Sequence, residues 1–62
     1  MNCFEIGKLK NKLVRFKNNA TKQRFGDVWL RGHITAVMSH ITSIDGEPYS
    51  NEGMQIEEIR NG

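Results

Sequence analysis

Apolar and polar side chains alternate one for one over two stretches of the chain. In 12-KLVRFK-17, Val14 and Phe16 alternate with Leu13, Arg15 and Lys17, which predicts a strand with one apolar face and one mostly basic face. The second alternation is longer. Val28, Leu30, Gly32, Ile34, Ala36 and Met38 fall on one face, and Trp29, Arg31, His33, Thr35 and Val37 on the other. A strand of about 11 residues is near the upper end of common lengths. In a small protein it must bend, and Gly32 is the expected place for a bulge or a close backbone approach. Ser39-His40 then makes a tight turn into 41-ITSI-44, and Asp45-Gly46 is a second turn signal. Pro48 has no amide donor, so 47-EPYS-50 belongs at an edge or a strand start. After 51-NEG-53, the residues Met54, Ile56 and Ile59 suggest a short strand or a single helical turn. Upstream, Cys3, Phe4, Ile6 and Leu9 suit an N-terminal strand or a turn that lids the core, bent at Gly7. The segment 18-NNATKQRFG-26 is polar apart from Phe25, which predicts a loop anchored by Phe25, closed by Gly26, with a short helical turn from Asn19 as an option.

About five short strands separated by turns predict an all-β single domain over residues 1–62, a small barrel or sandwich of antiparallel strands. Three features carry a resemblance: the strand 12-KLVRFK-17, the Trp-x-x-Gly-x-Ile of Trp29, Gly32 and Ile34, and the closing 56-IEEIR-60 after a Gly-containing turn. In these the chain resembles the SH3-like small β-barrels, the group that includes Tudor and KOW domains. The resemblance implies a single barrel of about five strands, and it implies a fold rather than a function.

Size narrows the picture further. A 62-residue chain buries only about 60% of the surface it exposes when unfolded, so it holds one core of modest stability. With Cys3 alone, an intrachain disulfide is excluded, and a reducing, cytoplasmic setting is expected. Lys8, Lys10 and Lys12 interrupt any apolar run near the start, and no stretch approaches the roughly 20 apolar residues of a membrane span. Charge adds an asymmetry that the net +2 conceals. Residues 1–31 hold eight of the nine basic side chains against Glu5 and Asp27, a formal +6; residues 32–62 hold Arg60 against Asp45, Glu47, Glu52, Glu57 and Glu58, a formal −4. Such a split predicts a dipolar molecule that meets a polyanion on one side, or a second copy of itself as a homo-oligomer.

Catalytic and metal chemistry find little footing. His33 and His40 are seven residues apart, Cys3 is remote, and no second cysteine completes a set of zinc ligands, so no metal or cofactor is expected. No serine sits in a Gly-x-Ser-x-Gly elbow. Glu57 and Glu58 are adjacent, and on a strand they point to opposite faces rather than share a proton. The chain also resembles the plasmid-type (type II) dihydrofolate reductases, SH3-like chains with one active site at the centre of a homotetramer: 54-MQIE-57 stands where those have Val-Gln-Ile-Tyr. Glu57 in place of the tyrosine would repel an anionic folate and a cofactor phosphate, which leaves that activity a remote alternative.

Binding is the expected role. Lys8, Lys10, Lys12, Arg15 and Lys17 recur at nearly period 2, so several should project from one side of the first strand, with Lys22, Arg24 and Arg31 extending the surface. Basic side chains neutralise phosphates and release counterions, and an exposed aromatic adds stacking on bases. The expected binding set is therefore Lys10, Lys12, Arg15, Lys17, Lys22, Arg24, Trp29, Arg31 and His33, joined by Phe25 or Tyr49. The partner is nucleic acid or a nucleic-acid-handling protein. The alternative is a protein-directed adaptor or inhibitor, such as a phage or mobile-element accessory protein that occludes a host enzyme. One question is left to structure: whether Trp29 faces the core or stands with Arg31 and His33 as a contact platform.

Overall fold

A computed structural model describes residues 2–60 of the chain. Its elements run α1 (Cys3–Gly7), β1 (Leu13–Lys17), α2 (Asn19–Phe25), β2 (Leu30–Val37), β3 (Ile41–Ile44), β4 (Glu47–Ser50) and β5 (Gln55–Glu58). The strands form one antiparallel sheet in the order β4-β3-β2-β1-β5. The class and the strand count are those expected from the alternation. The expected barrel, however, is not closed: among the described residues β4 and β5 do not pair with each other and stand as the two edges of an open sheet.

It does curl strongly. Phe16 on β1 and Tyr49 on β4 are separated by two intervening strands, about 14 Å in a flat sheet, yet their rings meet edge to face with centroids 4.8 Å apart. Val14, Phe16, Ile34, Ile44, Met54 and Ile56 line the concave side, and Ile6 of α1 covers one end of it. Leu9, Leu30, Val37 and Tyr49 pack around that core. The N-terminal residues thus do lid the core, as a helix and turn. Phe4 on the opposite side of α1 is left almost wholly in solvent.

The two turns of the β2–β3–β4 meander form where expected. Met38 donates its N–H to the carbonyl of Ile41 around Ser39-His40. Asp45 and Gly46 both have positive φ, 52° and 79°, the combination that a two-residue turn of type I′ requires and that Asp-Gly supplies at low cost. Pro48 lies on the edge strand β4, where its missing donor forfeits no ladder bond.

Two further expectations are corrected. The bulge in β2 is at Thr35, between Ile34 and Ala36, rather than at Gly32. Beyond it the faces exchange, so Val37 points inward opposite the buried Thr42. Gly32 instead serves close approach: a Cβ there would meet Asp45 Oδ2 and Ile44 Cγ2, each at 2.6 Å. The second correction concerns residues 18–26. They form a true helix, α2, because Asn18 and Thr21 make a reciprocal capping box. Asn18 Oδ1 accepts from the Thr21 N–H at 2.8 Å, and Thr21 Oγ1 accepts from the Asn18 N–H at 3.0 Å. The same Asn18, buried, donates through Nδ2 to the Ser50 carbonyl at 2.7 Å. That bond, not Phe25, anchors α2 to the sheet; Phe25 is 52% exposed.

Candidate nucleic-acid interface

The convex side of the sheet carries the residues that the alternation turned away from the core. Register sets them in rows across three strands. Arg31 lies opposite Arg15, which lies opposite Glu57; His33 lies opposite Leu13; Lys17 lies opposite Gln55. Trp29, immediately before β2, extends the outward set of Arg31 and His33 and is half-buried without joining the apolar core. Its place is set by cations: Lys17 Nζ lies 4.4 Å and Arg15 Cζ 4.5 Å from the centroid of its ring. Two cation–aromatic contacts of this kind contribute on the order of 0.5–1 kcal/mol each at an exposed site.

Both cations are also held by carboxylates. Lys17 Nζ donates to Asp27 Oδ1 at 2.8 Å, and Arg15 donates through Nε at 3.1 Å and through Nη2 to Glu57 Oε2. The Lys17 side chain is only 13% exposed, whereas that of Asp27 is 73% exposed. The hydrogen bond and charge of Lys17 hold the Asp27 carboxyl below its ordinary value. Arg31 has no carboxylate partner among the described residues.

The remaining expected residues scatter. Lys12 reaches Glu58 at 4.0 Å, and Lys8 and Lys10 lie in the turn between α1 and β1, so only Arg15 and Lys17 of the lysine and arginine series share the outward face of β1. Lys22 and Arg24 are on α2, and Arg24 stacks on its neighbour Phe25 at 5.1 Å. The charge split along the chain is not a split in space either. Strand β5, from the acidic half, lies beside β1, from the basic half, and Arg15–Glu57 and Lys12–Glu58 join the two.

Phe25 and Tyr49 do not join Trp29. They line a cleft of about 400 Å³ between α2 and β4, together with Arg24, Glu47 and Pro48. Burial, reinforced by the nearby Glu47 charge, pushes the Tyr49 hydroxyl above its ordinary value. Nothing local in the sequence signals this cleft, which depends on the Asn18–Ser50 bond across 32 residues. His33 and His40 are both exposed, and among the described residues no three His, Cys, Asp or Glu side chains gather as a metal-binding group. No helix among the described residues is long and apolar enough to cross a membrane.

In comparisons with known proteins, no protein-family model, curated protein or solved structure matches the chain.

Proposed function

We propose that the protein is a small SH3-like binding module of the cytoplasm, without catalytic activity, that contacts nucleic acid through Arg15, Lys17, Trp29, Arg31 and His33. The observation that carries this reading is the indole of Trp29, turned away from the core and flanked by Lys17 and Arg15 on a sheet face that also bears Arg31. An aromatic ring among cations is the combination that stacks bases and neutralises phosphates. The SH3-like part is supported by adjacency: the residues that carry the resemblance lie on or beside β2, β1 and β5, three neighbouring strands. Lys12, Lys22 and Arg24 add to the long-range field rather than to the contact face.

The experiment is a titration with short oligonucleotides followed by the emission of Trp29, the only tryptophan. Saturable binding is expected at about 50 mM salt, falling steeply by about 200 mM. An unchanged emission and no detectable binding to any strand at low salt would refute the reading.

The protein-directed alternative is favoured by a different feature, the cleft between α2 and β4 with its exposed Phe25. It requires a stoichiometric protein complex that survives nuclease, lost on Phe25→Ser. Recovery of nucleic acid alone would exclude it.

A further inference from the structure

We infer that the carboxylates of Asp27 and Glu57 occupy phosphate positions, so that the Trp29 face is a self-masked site for single-stranded nucleic acid. The inference rests on the nucleic-acid reading above and names its substrate class and its built-in competitor. The two cations against the Trp29 ring each hold one carboxylate: Lys17 holds Asp27, and Arg15 holds Glu57. Each carboxylate presents to its cation the same kind of anionic oxygen that a phosphate would.

The masks are built to be displaced. The Asp27 and Glu57 side chains are mostly in solvent, at 73% and 56% exposed, and carboxylates that reach into water hold their cations only weakly. Asp27 also lies outside any element, between the Gly26 cap of α2 and the start of β2. Its carboxylate can leave Lys17 without disturbing a strand.

Stacking selects the form of the ligand. A base stacks on an indole only if it is unpaired. Entry into a duplex groove calls for a protruding helix or a two-stranded ribbon, and this side of the sheet presents neither: β1 lies between β2 and β5 in the middle of its rows. A strand crossing the rows would place a base on Trp29, exchange its phosphates for Asp27 on Lys17 and for Glu57 on Arg15, and meet Arg31 without competition.

The masks leave a signature in salt dependence. When a phosphate replaces Asp27 on Lys17, the freed carboxylate regains counterions and offsets those released from the strand. Neutral variants lose that offset. The test compares wild type with Asp27→Asn, Glu57→Gln and the double variant, using oligothymidylate, oligouridylate and a duplex of equal length as probes. Glu52→Gln, in the turn before β5, is the control for net charge alone. Thermal melts verify that each variant is folded.

Each masking variant is expected to bind the single strands about two- to five-fold more tightly. The slope of log K against log salt should steepen by about 0.7 per substitution, with a clearly smaller effect of Glu52→Gln and weaker binding of the duplex. Whether the DNA or the RNA strand binds better identifies the natural form, and either preference supports the inference. Variants that match wild type, or a control that matches the variants, would overturn the masking while leaving the nucleic-acid reading in place. A duplex bound as tightly as the strands would overturn the substrate class. Absence of binding by every protein to every probe would overturn both readings together.

Discussion

Gly32→Ala is the sharpest test of how the sheet is built. An added Cβ would lie 2.6 Å from Asp45 Oδ2 and 2.6 Å from Ile44 Cγ2, whereas non-bonded carbons settle at about 3.5–4.0 Å. Something must move by about 1 Å. Ile44 is fully buried and pairs with Ile34 across β2 and β3, so it has no free space to enter. Asp45 can turn away, but its Oδ1 accepts from the His33 N–H at 3.1 Å, and its own N–H donates to the His33 carbonyl at 2.9 Å. Rotation of the carboxylate forfeits the first of these bonds and loosens the turn. Overpacking of this kind costs about 1–3 kcal/mol. That is a large fraction of the roughly 3–9 kcal/mol expected for a domain of this length, and it corresponds to a fall in melting temperature of about 5–20 °C. Circular dichroism melts and urea titrations measure it directly. Gly7→Ala is the matched control, because a Cβ at Gly7 meets nothing within 4 Å and the substitution favours helix. Its melting point should stay level or rise. If Gly32→Ala melts with wild type, β2 is not pressed against the β3–β4 turn, and the packing described above is wrong there.

Other perturbations separate core from face. Trp29→Ala should cost about 1–2 kcal/mol, from its two cation contacts and partial burial, while Phe16→Ala should cost about 3–5 kcal/mol and leave little folded protein; equal losses would place Trp29 in the core. Asn18→Ala removes the cap of α2 and leaves the Ser50 carbonyl without its donor, for about 2–4 kcal/mol by urea denaturation. Asn18→Asp should recover the cap and only part of that loss. Burial raises Tyr49 in the folded protein, so its contribution is complete below its ordinary value of 10.0 and is lost as pH climbs through the raised value. Alkaline melting curves should show this loss, and Tyr49→Phe should flatten them. Asp27 has the opposite sign. Lys17 lowers it, so its contribution is present above 3.8 and fades as acid protonates it, and Asp27→Asn should remove that part of the acid dependence.

Much of the sheet was legible because strands alternate locally. Val14 and Phe16 point inward and Arg15 outward as the period-2 pattern demands, and Asp45-Gly46 announces its own turn. The bulge was not legible. Thr35 carries no glycine or proline signal, and the extra residue there reverses Ala36 and Val37, so the single alternation to Met38 is broken midway. Residues 3–7 escaped for another reason: a five-residue helix holds too few turns to show a 3.6-residue period. At the candidate site, the outward trio of Trp29, Arg31 and His33 followed from alternation alone. Its partners did not. Arg15 meets Glu57 across 42 positions because β5 returns beside β1, and no local pattern contains that pairing. The same return mixes the basic and acidic halves that look separate along the chain.

The central claim is that the Trp29 face engages nucleic acid. Its most direct test is the emission of Trp29 in the wild-type protein as oligothymidylate is added at low and then at moderate salt. A saturable quench is expected, with a midpoint that moves to much higher strand concentration as salt rises from about 50 to about 200 mM. Emission that stays constant at both salts, in a protein shown to be folded, would contradict it.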